Sequence, residues 1–223
     1  MATTPPVTQQ IARNQQGTPT PPVNVNITDV EDCQIRDRHG NRIPFRSLYH
    51  NKKSIIVFVR NFLCYTCKEY VEDLAKIPQK SLASADVRLI VIGQSSHCHI
   101  EPFCALTKYP HEIYVDPERQ IYKKLGMRRG ETFVESASLS PHVKSSTLGG
   151  SMKSLWRAVK SPAFDFQGDP LQQGGAIILG PGSDVHFAHF DMNRLGHMPI
   201  NWLLQLAGVE TVDFSDQPKI IQV

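Results

Sequence analysis

Three apolar runs mark the centre of the chain. Ser54–Val59 and Val87–Gly93 are continuously apolar and rich in β-branched residues, as in strands covered on both faces, and His111–Val115 is a third run. Apolar residues between and after them recur at helical spacing. The first predicted helix has Tyr70, Val71, Leu74 and Ile77 on its apolar face and ends at Pro78. The second spans Ile100–Thr107. The third has Asp116 as N-cap and Pro117 as first helical residue, carries Ile121, Tyr122 and Leu125 on its apolar face, and stops at Gly126. This alternation predicts a mostly parallel central sheet.

Short hairpins flank this core. Val30–Ile35 and Ile43–Phe45 lie on either side of a turn-forming segment at 37–41. Gly175–Leu179 and Val185–Phe190 are separated by a Gly-Pro-Gly turn, and a last helix over Pro199–Ala207 ends at Gly208. The order of elements is that of a thioredoxin-like α/β fold with an N-terminal β-hairpin and an insertion before the C-terminal β-hairpin.

Two segments fall outside this pattern. Residues 1–28 are rich in Pro, Thr and Gln, which predicts a disordered tail before a domain spanning 29–223. Residues 128–172 are too long for an ordinary connection, whose usual limit is ~12–15 residues. Within this insertion, an apolar stripe from Leu148 to Val159 predicts an amphipathic helix. That helix packs on the domain in one interpretation and forms a lid or partner surface near the functional site in the other.

Composition and charge narrow the classes of function. The chain has 223 residues, 40% of them hydrophobic and 20% charged, which permits a sizeable core. Its net charge is only +3 and its basic residues are dispersed, so no nucleic acid partner is expected. No apolar run approaches the ~20 residues of a membrane helix, and no secretory signal is visible. Five cysteines, an odd number, favour a reducing cytoplasm.

The segment Cys64-Tyr65-Thr66-Cys67 carries the candidate chemistry. Two cysteines three residues apart on a helix share a face and can form a disulfide. At a helix N-terminus, free N–H groups and the helix dipole stabilise a thiolate, which is the nucleophile. We expect Asn61 to cap this helix, Cys64 to be the more activated and exposed thiol, and Cys67 to be the resolving thiol. Further positive charge is expected from Arg60 and Lys68.

Two structural interpretations compete with redox chemistry. The pair could be half of a zinc site, completed by His97-Cys98-His99, or two idle thiols. The remaining cysteines are weaker candidates for redox chemistry. Cys33 and Cys104 are expected to be small core residues, and Cys98 is expected to have a minor redox role at most. His186 and His189 are expected to be exposed rather than catalytic.

Three segments are distinctive in combination: residues 60–74 (RNFLCYTCKEYVEDL), 115–126 (VDPERQIYKKLG) and 173–182 (QGGAIILGPG). They resemble the peroxiredoxin-like 2 family, which carries the AhpC/TSA antioxidant domain, over roughly residues 30–220. The resemblance implies a peroxiredoxin-type thioredoxin fold and thiol redox activity; one member of the family reduces a prostaglandin endoperoxide with thioredoxin or NADPH as electron source. It implies no bound cofactor, and a thioredoxin-type reductant, glutathione or a redox client protein as partner.

The active-site motif of true peroxiredoxins, Pro-x-x-x-Thr-x-x-Cys, matches neither cysteine. Placed on Cys67, it puts Cys64 at the Thr position; placed on Cys64, it puts Asn61 there. The Arg that polarises the peroxide before a late strand is replaced by Gln-Gln-Gly at 172–174. The overlay on Cys67 and the helix-terminus argument for Cys64 disagree about which cysteine attacks first.

The sequence therefore predicts a thiol-dependent oxidoreductase, or weak peroxidase, acting on peroxide or disulfide substrates through Cys64, Cys67 and Arg60. Such an antioxidant enzyme would cycle through a reversible disulfide at its redox-active centre. The alternative is a redox-responsive regulatory or signalling protein on the same scaffold, with little turnover, that binds a partner through the insertion or the tail.

Overall fold

The apolar runs form one mixed sheet with helices on both faces. The computed structural model describes residues 25–131, 140–144 and 168–214. Its seven strands are β1 (Gln34–Arg36), β2 (Arg42–Pro44), β3 (Lys53–Phe58), β4 (Val87–Gly93), β5 (Glu112–Val115), β6 (Gly175–Leu179) and β7 (Val185–Phe190). The α-helices of the described residues are α1 (Tyr65–Leu74), α2 (Gln79–Ser84), α3 (Ile100–Thr107), α4 (Gln120–Lys124) and α5 (Ile200–Ala207). Single 3₁₀ turns lie at Phe45–Leu48 and His97–His99.

The strands run in the order β2-β1-β5-β4-β3-β6-β7. Only the central pairs, β3 with β4 and β4 with β5, are parallel. The two predicted hairpins add antiparallel strands on either side, β1 against β5 and β6 against β3. The prediction of a mostly parallel central sheet is confirmed for β3, β4 and β5, while every antiparallel pair involves a strand of one of the two hairpins.

Several predicted bounds agree with the structure, among them those of β4, β6, β7 and α3, and Gly208 ends α5 in the left-handed conformation. The start predicted for α4 is wrong. That helix begins at Gln120 after Arg119, which has a positive φ of 56°. The Asp116 carboxylate still accepts the N–H groups of Gln120 at 3.1 Å and Ile121 at 2.8 Å, so it caps the helix from outside. The separate helix α2, which begins after Pro78, was not predicted.

Alternation along β3 divides the core between the two faces of the sheet. Ile55 and Val57 face a cluster that contains both Cys64 and Cys67 and packs against α1, α3 and α5. Ile56 and Phe58 face a second cluster with the N-terminal hairpin and α4. Both faces are covered, which explains why the central strands are continuously apolar.

The N-terminal boundary lies earlier than predicted. Ile27 is only 5% exposed and packs in the second cluster, and Asn26 accepts a hydrogen bond from the Thr28 hydroxyl at 2.6 Å. Residues 25–28 thus belong to the domain, whereas residues 1–24 of the predicted tail lie outside the described residues. The disordered tail stays a prediction for residues 1–24, while the packing of Ile27 places residues 25–28 with the domain.

The two ends of the insertion lie side by side, joined by an antiparallel bridge between Arg129 and Gln172. Its middle piece, residues 140–144, contacts α1: the Lys144 ammonium lies 2.6 Å from the Asp73 carboxylate, and His142 Nδ1 lies 2.9 Å from the same group. The predicted helix between Leu148 and Val159 lies outside the described residues. Among the described helices, none is long and apolar enough to cross a membrane.

Candidate active site

The topology brings three loop positions, two of them polar, together at one edge of the sheet. Arg60 follows β3 and Gln94 follows β4, while Gly174 precedes β6. Because β3 and β4 are parallel and β6 is antiparallel to β3, these three positions meet at the carboxyl edge of the central strands. In open α/β sheets this edge is where sites form, because the loops that end the strands converge there.

Cys64 itself occupies the cap of α1. The helix begins at Tyr65, and Cys64 has extended backbone angles (φ −62°, ψ 122°). The expectation that Asn61 is the N-cap is wrong. Its side-chain oxygen accepts the N–H of Leu63 at 3.1 Å, and its carbonyl accepts the N–H of Cys64 at 3.2 Å, so Asn61 forms the turn that precedes the cap.

Two donors approach the Cys64 sulfur. Nη1 of Arg60 lies 3.8 Å from Sγ, and the hydroxyl of Thr66 lies 3.1 Å from it. Lys68, which was expected to add charge here, pairs instead with Glu72 one turn further along α1. The positive charge at the cysteine thus comes from Arg60, as predicted, whereas Thr66 was missed although it lies between the two cysteines.

Cys67 lies beneath Cys64 in the apolar cluster. Its side chain is fully buried at 0% exposure, against 8% for Cys64. The backbone N–H of Arg60 donates to its sulfur at 3.4 Å. Cys64 is therefore the more accessible of the two, although both are buried.

The two thiols have opposite electrostatic environments. The pKa of Cys64 lies well below the ordinary value, chiefly because the Cys67 thiol donates a hydrogen bond to its sulfur. Burial opposes this shift, and the Arg60 charge and the Thr66 hydroxyl reinforce it. The pKa of Cys67 lies well above the ordinary value because burial disfavours its charged form, and the hydrogen bond to Cys64 raises it further.

Arg60 also binds the segment that closes the insertion, residues 168–172, which we call the strap. Its Nε donates to the carbonyl of Gln172 at 3.2 Å, and its Nη2 donates to the carbonyl of Pro170. Only 6% of Arg60 is exposed. One guanidinium therefore joins the Cys64 sulfur to the strap, and its planar fork suits it to bind several acceptors at once.

Other contacts hold the strap against the sheet edge. The side chain of Gln94 donates to the carbonyls of Arg60 and Asp169, and it accepts the N–H of Asp169 at 3.0 Å. The Asp169 carboxylate pairs with Arg119 and Arg129, each at 2.6 Å. A side chain at position 168 would collide with Gln94, since an added Cβ would lie 2.5 Å from its Cγ.

An ion pair between Glu131 and Arg194 lies next to Arg60. The Glu131 carboxylate is 3.7 Å from Nη1 of Arg60 and binds Arg194 through two contacts, at 2.8 and 2.6 Å. Glu131 follows α4 and Arg194 follows β7, so no local spacing in the sequence connects them with the cysteines. Arg194 neutralises Glu131 and so leaves more of the Arg60 charge to Cys64.

The remaining candidates lie apart from this site. Cys33 is buried and Cys104 is half-buried, both packed on core residues as predicted, whereas Cys98 is exposed. All five cysteines are free. His186 is exposed, but His189 is half-buried and lies 3.4 Å from Asp191. Within the described ranges no group of three or more His, Cys, Asp or Glu could hold a metal ion.

Comparison with known proteins identifies the family. A model of the AhpC/TSA antioxidant enzyme family matches residues 73–193. Peroxiredoxin-like 2C of Takifugu rubripes is 61% identical over 98% of this chain and 97% of its own length. The human protein of the same name is 56% identical over 100% of both chains. This chain belongs to the peroxiredoxin-like 2 family.

Family membership supports a thiol-dependent redox role; proteins of this kind usually need no prosthetic group and generally work with thioredoxin-type reductants. A more distant relative, the human prostamide/prostaglandin F synthase, is 28% identical over 87% of this chain and 96% of its own length. The family-model match begins after the Cys-x-x-Cys segment, so the roles of Cys64 and Cys67 depend on the geometry of the site alone.

Solved peroxiredoxins share the thioredoxin-like fold. Peroxidoxin BcpB of Mycobacterium tuberculosis superposes with a TM-score of 0.54 at 10% identity, over 81% of this chain and 94% of its own. Peroxiredoxin Q of Xanthomonas campestris gives 0.52 at 10% identity, over 83% and 93%. The fold class predicted from the order of elements is confirmed.

Proposed function

We propose that this chain is a thiol-dependent oxidoreductase of the peroxidase type, in which Cys64 is the nucleophile and Cys67 the resolving thiol. One observation carries the proposal: three donors, from Arg60, Thr66 and Cys67, converge on the Cys64 sulfur at a helix cap. They favour a thiolate there at neutral pH. The buried neighbour Cys67 stays protonated, as a resolving thiol should until it is needed.

The proposed reaction has two steps. The Cys64 thiolate attacks one oxygen of a hydroperoxide, an S–O bond forms as the O–O bond breaks, and an alcohol leaves after taking a proton from solvent. Cys67 then attacks the sulfenic acid, which gives the Cys64–Cys67 disulfide and water. A dithiol reductant of the thioredoxin type, or glutathione, regenerates both thiols by exchange. We place this cycle in the cytoplasm, where such a dithiol is kept reduced.

Two groups that true peroxiredoxins place at fixed sequence positions are missing from those positions in this chain. We propose that Thr66 and Arg60 take their place. The hydroxyl that the motif places three residues before the cysteine is supplied by Thr66, two residues after Cys64. The guanidinium expected before a late strand is supplied by Arg60, which follows β3. Both counterparts contact Cys64, which supports the helix-terminus assignment over the overlay on Cys67.

Matched single substitutions test the assignment. Cys67→Ser is expected to leave a thiol that alkylates rapidly near neutral pH and stops at a sulfenic acid or mixed disulfide after one equivalent of peroxide. Cys64→Ser is expected to leave a slow thiol because Cys67 is buried in apolar surroundings. Peptide mapping by mass spectrometry follows both. Faster alkylation of Cys64→Ser, with the sulfenic acid on Cys67, contradicts the assignment and exchanges the two roles.

The redox-responsive regulator is the second candidate, and the strap favours it. Arg60 binds both the Cys64 sulfur and two strap carbonyls. Oxidation of Cys64 removes the negative charge of its thiolate, and this loss changes the interactions of the guanidinium that also holds the strap. Sustained NADPH consumption with thioredoxin, thioredoxin reductase and peroxide supports the enzyme. A single stoichiometric oxidation, with altered proteolysis at the strap and no turnover, supports the regulator.

A further inference from the structure

Tyr65, the first residue of α1, has a buried hydroxyl that the reaction scheme above does not use. The residue is only 5% exposed, and its hydroxyl finds no hydrogen-bond partner in the part of the chain that the structure describes. A buried polar group without a partner is costly, and native proteins retain few of them. At a candidate active site, such a group is available to bind a ligand.

The surroundings of this hydroxyl indicate what that ligand is. Tyr65 directly follows Cys64, and its hydroxyl lies in the electric field of the Cys64 sulfur and of the Glu131–Arg194 pair. Burial and the nearby negative groups raise the pKa of Tyr65, while the charge of Arg194 opposes them, so the hydroxyl remains a donor at neutral pH. A protonated, unpartnered phenol on the residue that directly follows Cys64 can donate a hydrogen bond to an oxygen acceptor bound at this site.

We propose that the Tyr65 hydroxyl donates a hydrogen bond to the leaving oxygen of a hydroperoxide attacked by Cys64, and is a catalytic residue of this site. This inference rests on the proposed function. In the transition state the O–O bond breaks as the S–O bond forms, and two electrons pass from sulfur to the peroxide. Negative charge develops on the leaving oxygen, which Tyr65 stabilises while keeping its own proton; solvent then protonates the departing alkoxide, which gives the product alcohol.

This role differs from those of the donors already described. Arg60 and Thr66 bind the sulfur in the resting protein and therefore stabilise the thiolate before any substrate is present. The Tyr65 hydroxyl gains a partner only when an oxygen-containing substrate is bound. Loss of the Tyr65 hydroxyl is therefore expected to slow the reaction of Cys64 with peroxides. The reaction of the same thiolate with reagents whose leaving group is not an oxyanion should keep its rate.

The test compares Tyr65→Phe with a matched control. Tyr49 is also buried with a hydroxyl that lacks a partner among the described residues, but it lies in the core cluster on the opposite face of the sheet. For the wild type, Tyr65→Phe and Tyr49→Phe, Cys64 oxidation by tert-butyl hydroperoxide is timed by quenched mass spectrometry. Iodoacetamide alkylation of the same samples measures thiolate reactivity, and the melting temperature measures folding.

Tyr65→Phe is expected to slow peroxide oxidation by about 10- to 100-fold, the effect of one hydrogen bond to a charged group, without slowing alkylation or lowering the melting temperature. Tyr49→Phe is expected to change neither rate. Wild-type peroxide rates in Tyr65→Phe, or an equal loss in both reactions, overturn the role of Tyr65. A wild-type protein that oxidises no faster than a free thiol overturns the proposed function as well, so the two failures are distinguishable.

Discussion

Replacing Arg60 with Gln tests what sets the reactivity of Cys64. Nη1 of Arg60 lies 3.8 Å from the sulfur, where a full charge pair is worth about 4 kcal/mol at an effective dielectric constant of about 20. The Glu131 carboxylate lies 3.7 Å from the same nitrogen and weakens the attraction between Arg60 and the Cys64 thiolate. Arg194 partly offsets this effect because it pairs with Glu131. A hydrogen bond to a charged group, about 1.5–3 kcal/mol, is therefore the better measure of the contact.

Arg60→Gln is thus expected to slow alkylation of Cys64 by about 10- to 100-fold at a pH below the wild-type midpoint, because each 1.4 kcal/mol of lost thiolate stabilisation is about a factor of ten in the ionised fraction there. The assay follows iodoacetamide modification of the Cys64 peptide from pH 4 to pH 10. The midpoint of the profile should move to higher pH, while the limiting rate at high pH stays close to that of the wild type, since Arg60 acts on the fraction ionised.

Arg119→Gln provides the control. Arg119 binds the same strap through Asp169 at 2.6 Å but has no contact with either cysteine, so this variant loosens the strap alone. It is expected to leave the profile in place. If both variants shift the midpoint equally, the strap and not the charge of Arg60 controls Cys64; if neither does, the charge argument is wrong.

Two further predictions concern stability. Burial raises the pKa of Asp191, but the charges and hydrogen bonds of His197 and His189 outweigh it and lower the value to about 2. This carboxylate therefore contributes roughly 2 kcal/mol of stability above pH ~4, which is lost as the pH falls towards 2. Asp191→Asn should abolish this part of the acid dependence in urea titrations, and an unchanged dependence contradicts the assignment. Deleting residues 1–24 should leave the melting temperature within error, whereas extending the deletion through Ile27 should cost about 1.5–3 kcal/mol and several degrees; equal melting temperatures contradict the role of Ile27.

The elements that the sequence predicted well are those fixed by local pattern. Continuous apolar runs gave β4 and β6 with their bounds, because burial on both faces leaves an unbroken signal. The start of α4 was misplaced because Arg119 adopts a left-handed conformation that residue type does not reveal. The pairing of the two hairpins with the central strands was not predicted, because strand order depends on tertiary contacts, which periodicity does not report.

The candidate site shows the same division. The cysteine pair and Arg60 are close in sequence and were found from their spacing, and Thr66 could have been found there too, since it is two residues from Cys64. Glu131 and Arg194 could not, because the pair is 63 residues apart in the sequence and each residue reaches the site from a different loop. Residue type and spacing predict the reactive residues within one element. The charged residues that adjust the pKa of the cysteine come from distant loops, which only the fold brings together.

The opposite environments of the two sulfurs constrain how a Cys64–Cys67 disulfide is reopened. An external thiolate reaches the Cys64 sulfur more easily, since Cys67 is fully buried, but attack there expels Cys67 as a thiolate that burial disfavours. Attack on Cys67 would expel the better leaving group, Cys64, from a sulfur that solvent does not reach. Accessibility and leaving-group quality thus oppose each other at both sulfurs. Reduction is therefore expected to be slower than oxidation unless the reductant opens the first turn of α1, so a small thiol should recycle the protein poorly compared with a protein dithiol that binds α1.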